Sequence, residues 1–170
     1  MSVFGIDPGS NATGWAVVSR AYGRYQLHEA GVIRTRAEDP IPERLLKIHE
    51  GLLAAMERLQ PTDVAIEAIF KYRSNESALR LGQARGVALL AAARRGLAVA
   101  EYNPATVKKT VGGSGRADKE QVARLVARLV GREDPLPADA SDAVAIAITH
   151  LAQSPLQALL AARSQGLPST

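Results

Sequence analysis

Hydrophobic and polar residues along the first part of the chain follow the two-residue period of β-strands. An apolar run that ends at Asp7 predicts the first strand, and similar runs predict strands from Ala12 to Val18 and from Tyr25 to Ile33. The connection between the last two is short and centres on Tyr22-Gly23-Arg24. Short connections favour an antiparallel meander of three strands.

The pattern then changes to the helical period, interrupted by short apolar runs. From Pro42 to Leu59 the apolar residues recur every three or four positions, which predicts an amphipathic helix. The further predicted elements are a strand from Asp63 to Glu67, a helix from Ser74 to Arg95, a strand from Leu97 to Tyr102, and helices from Ala105 to Val111, from the capping pair Asp118 and Gln121 to about Val130, and from Ala138 to about His150. Three antiparallel strands followed by two parallel crossover strands predict an α/β fold with a mixed five-stranded sheet flanked by helices.

The length of 170 residues fits one domain, which we place at residues 1–154. Residues 155–170 are predicted to form a short helix, Leu156 to Ala162, and a flexible C-terminal tail. No signal segment or membrane span is recognisable, so we expect a soluble, cytoplasmic protein. The net charge of +4 and the pI of about 9.7 suit a polyanionic partner without requiring one. With no cysteine, disulfides and thiolate metal sites are excluded.

Four carboxylates stand where acids are unusual. Asp7 and Glu67 each end an apolar strand, and their side chains would be neighbours if those strands pair. Asp139 and Asp142 lie three residues apart on an otherwise apolar helix, where Asp139 could alternatively cap the helix start. Four acids at one place are hard to explain without divalent cations, and oxygen ligands suit Mg²⁺ or Mn²⁺. Two such ions about 4 Å apart can promote phosphodiester hydrolysis.

Aromatic and basic residues are interleaved in the segment after Glu67, at Phe70, Lys71, Tyr72 and Arg73. This composition suits stacking on an unpaired base together with phosphate contacts, although Phe70 could instead pack in the core. Other candidate cations are Lys108, Lys109, Lys119, Arg80, Arg85 and, in the glycine-rich loop, Arg116. For Lys109, Arg80 and Arg85, solvated helix faces or contacts to backbone phosphates are the simpler interpretation.

Taken together, these motifs resemble the RuvC family of bacterial Holliday-junction resolvases, which have a ribonuclease H-like fold. The resemblance runs from about Val3 to about His150 and rests on the four acids together with Gly5-Ile6-Asp7-Pro8-Gly9, Leu81-Gly82-Gln83-Ala84-Arg85-Gly86 and Asp139-Ala140-Ser141-Asp142-Ala143. It implies that the four acids bind two metal ions, Mg²⁺ with Mn²⁺ as a substitute, and that one ion activates the attacking water. It also implies a homodimer that cuts two strands of like polarity symmetrically, leaving 5′-phosphate and 3′-hydroxyl ends in recombination and repair.

The same resemblance assigns further roles. It implies that Lys108 and Lys119 lie near the scissile phosphate and that Phe70 is a wedge near the cut site. It implies a branch-migration helicase complex of the RuvA and RuvB type as partner. Some relatives carry a histidine in the final motif, so the resemblance implies the role of Asp139 less directly than the roles of the other three acids.

Other functions were weighed against this one. The hairpin from Asp7 to Gly14 also resembles the phosphate-binding hairpin of actin- and hexokinase-like ATPases, which need two lobes where this chain has length for one. A ribonuclease H-like nuclease acting on RNA or other branched nucleic acid is the main alternative, and a non-catalytic binding module would not need four acids. The helix from Ala78 to Ala93 is a candidate dimer interface, unless Gly82 and Gly86 serve internal packing.

Overall fold

In the computed structural model, which describes residues 1–68, 74–112 and 118–164, the chain forms one mixed sheet of five strands in the order β3-β2-β1-β4-β5. The strands are β1 (Ser2–Asp7), β2 (Ala12–Ala21), β3 (Arg24–Arg34), β4 (Asp63–Glu67) and β5 (Ala98–Tyr102). The pairs β1-β2 and β2-β3 are antiparallel, whereas β1-β4 and β4-β5 are parallel. The predicted fold class is therefore confirmed.

Within the described ranges, five helices cover the two faces of the sheet. They are α1 (Ile41–Leu59), α2 (Asn75–Arg94), α3 (Pro104–Gly112), α4 (Lys119–Leu129) and α5 (Ala138–Ser164). Local sequence sets several of their starts: the Ser74 side chain accepts from the backbone N–H of Ser77, and Asp118 and Gln121 form the predicted capping box. The boundaries follow the sequence prediction closely except at the end of α5.

The alternation of side chains along β1 divides the core into two halves. Phe4 and Ile6 are buried against α1 and α2, together with Ile48 and Leu52 of α1. Val3 belongs to the opposite half, which is built largely from α5, α3 and α4. Because alternate residues of a strand share a face, Asp7 lies on the same face as Val3 and Gly5, the face covered by α5.

The last helix corrects one prediction. We expected it to end near His150, with a separate short helix from Leu156 to Ala162, but α5 continues without interruption from Ala138 to Ser164. Pro155 removes only one backbone donor, and the alanine- and leucine-rich sequence on either side favours a helix. The division of the chain at residue 154 into a domain and a tail remains a prediction.

None of the helices in the described ranges is long and apolar enough to cross a membrane.

Candidate active site

Two of the four predicted acids are brought together by the pairing of β1 with β4. These strands are parallel, with Ile6 opposite Ile66, so the residues that follow, Asp7 and Glu67, end neighbouring strands at the same edge of the sheet. Ala65 packs in the α5 half of the core, so Glu67 lies on that face too. The two carboxylates therefore extend from adjacent strand ends toward α5.

Helix α5 approaches this edge closely because two strand residues have no side chain. A Cβ atom at Gly5 would overlap the backbone oxygen of Ala143, and one at Gly14 would overlap the backbone oxygen of Asp139. Gly14 lies directly opposite Asp7 in the β1-β2 pair. The first turns of α5 are thus held directly over the strand that carries Asp7.

A cavity of about 300 Å³ opens at this point, and three of the predicted acids line it. Asp7, Glu67 and Asp142 form its acidic part, and Lys108 of α3 and Lys119 of α4 are its cations. The remaining lining residues are Pro104, Val107, Val122, Ala145 and Ile146. The structure therefore brings five of the predicted residues together in one cavity, although they come from five different elements, and their roles stay a prediction.

The acids in this cavity disfavour one another's charge. Burial, followed by the charges of Glu67, Asp142 and Asp139, raises the pKa of Asp7 to about 8. Burial is also the largest cause of the raised pKa of Glu67 and of Asp142. Lys119 lowers the pKa of all three acids, but not enough to offset burial and repulsion. Such a site favours binding of additional positive charge.

Asp139 occupies a different position from the other three acids. Its backbone packs against Gly14, and it does not line the cavity. Its side chain makes no capping hydrogen bond within the described parts of the chain, so the alternative role as helix cap gains no support. Its charge nevertheless raises the pKa of both Asp7 and Asp142, which shows that it belongs to the same electrostatic cluster.

The turn that follows Asp7 is held by hydrogen bonds of its own. The buried Thr13 hydroxyl donates to the carbonyl oxygen of Gly9 (2.7 Å) and accepts from the Gly9 N–H (3.3 Å). A Cβ atom at Gly9 would overlap the carbonyl oxygen of Ala12, so the turn requires glycine there. The end of β1 is therefore fixed locally.

Arg44 of α1, which the sequence analysis did not single out, anchors the same turn. Its guanidinium is 2% exposed and donates to the Ser10 carbonyl (2.7 Å), to Asn11 Oδ1 (2.6 Å) and to the Thr35 hydroxyl (3.2 Å). One signal in the sequence could have revealed it. Arg44 lies one turn before Ile48 and two before Leu52, on the apolar stripe of α1.

The other predicted residues lie elsewhere. Lys109 is exposed on α3 and does not line the cavity. Arg85 is not on a solvated face: its side chain is 15% exposed and pairs with Glu101 at 2.6 Å, because α2 packs beside β5. Arg80 pairs with Glu76 one turn away. Phe70, Lys71, Tyr72, Arg73 and Arg116 lie outside the described residues.

Comparison with known proteins agrees with this geometry. The sequence profile of the family described as crossover junction endodeoxyribonuclease RuvC matches residues 3–150. The chain belongs to the RuvC family. A RuvC of Chloroflexus aggregans is 47% identical over 156 residues, covering 91% of this chain and 95% of its own. A RuvC of Magnetococcus marinus is 45% identical over 151 residues, covering 89% of this chain and 84% of its own.

A solved structure of the RuvC family gives the same result at the level of the fold. Thermus thermophilus RuvC in complex with a Holliday junction substrate superposes with a TM-score of 0.87 at 38% identity, covering 92% of this chain and 96% of its own. The family is one of endonucleases, which are hydrolases, and its ribonuclease H-like fold is the one predicted from the sequence. Family membership favours the nuclease over the two-lobed ATPases.

Membership of the RuvC family also implies dependence on a divalent metal ion. As the side chains stand, no group of three or more acids or histidines among the described residues is gathered closely enough to hold an ion. The chemistry of the donor set fits such an ion, because Asp7, Glu67 and Asp142 offer only carboxylate oxygens and each has a raised pKa. The acids therefore influence one another's pKa over distances longer than those at which they could all bind one ion.

Proposed function

We propose that this chain is a structure-selective endonuclease that resolves four-way DNA junctions by hydrolysing phosphodiester bonds in the cavity at the end of β1. The observation that carries the proposal is the cavity itself, which three partly buried acids with raised pKa values line together with two lysines. A non-catalytic DNA-binding surface would have no use for a cluster of acids that repels phosphate. Family membership supplies the substrate class.

Asp7, Glu67 and Asp142, together with Asp139, are the residues that would hold the metal, which we expect to be two Mg²⁺ ions with Mn²⁺ as a substitute. When bound, such ions supply Lewis-acid activation of the attacking water and stabilise charge on the leaving oxygen. Asp7 is central in this set, because its pKa responds to the charges of all three other acids.

The two lysines, Lys108 and Lys119, supply positive charge that counteracts the repulsion among the acids. Lys119 lowers the pKa of Asp7, Glu67 and Asp142, and Lys108 lowers that of Glu67 and Asp142. Both lysines line the cavity, and we expect their ammonium groups to contact the scissile phosphate, whose negative charge increases in the transition state. We therefore assign Lys119 two functions, to favour the ionised form of the acids and to stabilise the phosphate.

Symmetric cutting of two strands would require two such sites related by a twofold axis, as in a homodimer. Helix α2 is the candidate interface. Leu79 and Leu90 are 64% and 53% exposed on it, and a Cβ atom at Gly82 or Gly86 would meet no atom within 4 Å. These four residues lie on one stripe of the helix, so the glycines do not serve packing within the chain. We expect further partners of the RuvA and RuvB type, and action in the cytoplasm.

The proposal is tested by the choice of substrate. With Mg²⁺ present, we expect the protein to cut a four-way junction at symmetric positions in two strands of like polarity, leaving 5′-phosphate and 3′-hydroxyl ends. A linear duplex of the same sequence and an RNA–DNA hybrid serve as controls. Equal cutting of the linear duplex would contradict junction selectivity, and preference for the hybrid would favour the alternative nuclease that acts on RNA.

A further inference from the structure

A second cavity, of about 330 Å³, lies beside the turn that follows Asp7. It is lined by Ser10 and Asn11 from that turn and by Glu76, Ser77 and Arg80 from the first turns of α2. All five lining residues are polar or charged, and none of them belongs to the acidic cavity described above. Because Ser10 follows Asp7 by three residues, this cavity is close to the point where the substrate strand would be cut.

Three side chains that line this second cavity, Ser10, Asn11 and Ser77, carry hydrogen-bond donors that have no acceptor within the described residues. Arginine can only donate, so the bond from Arg44 fixes Oδ1 of Asn11 toward Arg44 and turns the amide N–H groups away from it. Within the described ranges, neither that amide nor the Ser10 hydroxyl donates to any protein atom. The Ser77 hydroxyl accepts from Ser74, which leaves its own proton free.

The buried charge of Arg44 adds a positive field to these donors. Arg44 is 2% exposed, makes no ion pair with any described carboxylate, and its Nη1 atom has no hydrogen-bond partner. The pKa of Glu38 is lowered by hydrogen bonds from its own backbone and from Arg36 and, to a smaller extent, by the charge of Arg44, but that exposed carboxylate is paired with Arg36. A guanidinium carries its charge at any ordinary pH, and a buried charge without a counter-ion is costly unless an anion compensates it. The Nη2 atom of Arg44 donates to Ser10 and Asn11, whereas its Nε atom donates to Thr35, so the positive charge lies directly behind the Ser10 and Asn11 wall of this cavity.

One carboxylate opposes this arrangement. Glu76 lines the same cavity and pairs with Arg80 at 2.6 Å, with the two side chains 72% and 42% exposed. An exposed pair one helical turn apart contributes little to helix stability, so Arg80 can exchange Glu76 for another partner. In the free protein Glu76 thus pairs with Arg80, and it competes for Arg80 with any anion that enters the second cavity.

From these contacts we infer that the cavity formed by Ser10, Asn11, Ser77 and Arg80 binds a backbone phosphate of the substrate DNA, with Arg80 turning from Glu76 to the phosphate. The inference rests on the proposed function, because it takes junction DNA as the substrate. Its role is positioning: it would hold the strand beside the cut site, while Asp7 and its neighbours carry the chemistry. The position of the turn, and hence of this contact, depends on the anchor that Arg44 provides.

The experiment measures binding of a four-way junction in chelator, where no cleavage occurs, over a series of salt concentrations. Arg80→Gln is expected to raise the Kd about tenfold and to reduce the slope of log K against log salt by about 0.9, the value for one lost phosphate contact. Glu76→Gln is expected to lower the Kd two- to fivefold, because the competitor of the phosphate is gone. Arg58→Gln removes the same charge from a paired arginine at the last turn of α1 and is the matched control.

The result that would overturn the inference is an Arg80→Gln variant whose Kd and salt slope match those of Arg58→Gln, or a Glu76→Gln variant that binds more weakly than the parent. Thermal unfolding of each variant verifies the fold. Cleavage by the parent protein with Mg²⁺ is measured on the same preparation. If the parent does not cut the junction, the proposed function fails; if it does and Arg80→Gln still binds normally, only the phosphate site fails.

Discussion

Asp7 is the residue at which burial and like charge combine most strongly. Its carboxylate ends a strand whose other residues are almost all buried, and Glu67, Asp142 and Asp139 all raise its pKa. Neutralising one acid therefore has opposite effects on folding and on activity. Without metal, the folded protein should become more stable, because one source of repulsion is removed. Activity should fall, because the site loses the acid that interacts with all three others.

This charge arrangement predicts how stability depends on pH. Between the ordinary pKa of 3.8 and the folded value of about 8, the folded state holds a proton on Asp7 that the unfolded state has released. In chelator, stability should therefore fall as pH rises from 5 to 8, by about 1–3 kcal/mol. Asp7→Asn should reduce this fall, leaving the smaller part due to Glu67 and Asp142. Urea unfolding at both pH values measures it, and an identical fall in the variant would contradict the account.

Lys119 should influence the pH profile of cleavage as well as its rate. Because this cation lowers the pKa of three acids in the cavity, Lys119→Met should shift the rising limb of the cleavage profile to higher pH and reduce the rate about 100-fold. Lys119→Arg should restore the position of the limb. Lys47→Met, on an exposed position of α1, is the control. A Lys119→Met variant that cuts more slowly, but whose cleavage rate rises over the same pH range as that of the parent, would show that Lys119 does not control the pKa of the acids.

At the scale of single residues, the sequence reveals side chains of a type that is unusual at their position. It does not reveal residues that matter because of their burial or their contacts in the folded chain. An acid at the end of an apolar strand is conspicuous, which is why Asp7 and Glu67 are predicted as neighbours, whereas Lys108 and Lys119 follow only from the resemblance to the RuvC family. Arg44 was missed because an arginine on a helix is ordinary unless its burial is known. The contact of Gly14 with Asp139 was missed too, since it joins residues more than 120 positions apart.

At the scale of elements, the contact between α5 and the β1-β2 pair decides where Asp142 lies. Gly14→Ala would place a methyl group on the backbone oxygen of Asp139, which cannot rotate away, so the first turn of α5 must shift. We expect a loss of about 1–3 kcal/mol in stability and a large loss of cleavage at saturating junction. Differential scanning calorimetry and single-turnover cleavage measure the two effects.

Gly51→Ala in α1 is the matched control for this prediction. Its Cβ atom would meet only side-chain atoms of Ile33, Cδ1 at 2.7 Å and Cγ1 at 3.0 Å among them, and a side chain can shift where the backbone oxygen of Asp139 cannot. The gain in helix propensity, about 0.5–1 kcal/mol, should offset much of that contact, and cleavage should be retained. Equal effects of the two substitutions would show that the close approach of α5 to Gly14 has no special role.

The elements themselves were largely predictable, because period and capping residues are local signals. Strands β1 to β5 and helices α1 to α4 begin and end within a few residues of the predicted positions. Helix α5 was the exception, because the sequence predicted an end near His150. A proline such as Pro155 is a local signal for the end of a helix, but the helix continues to Ser164. A proline stops a helix only when the loss of one hydrogen bond outweighs the helical preference of its neighbours.

At the scale of the whole molecule, the apolar stripe on α2 predicts association. Replacing both Leu79 and Leu90 by glutamate should convert a dimer into monomers, which sedimentation velocity would detect, because like charges would face each other across the twofold axis. Cleavage of the two strands should then lose its coordination. Leu129→Glu, at an exposed position of α4, is the control. A parent protein that sediments as a monomer on junction DNA would contradict the proposed symmetry.

The central claim is that the acids around Asp7 form the centre of a metal-dependent junction nuclease. The most direct measurement is the single-turnover rate of four-way junction cleavage for the parent and for Asp7→Asn, each with Mg²⁺ and with chelator. We predict that the parent cuts the junction with Mg²⁺ and not with chelator. With Mg²⁺, the folded Asp7→Asn variant should cut at a rate at least about 1000-fold lower, because it lacks the carboxylate on which metal binding depends. An Asp7→Asn variant that cuts the junction at the parental rate would contradict the account.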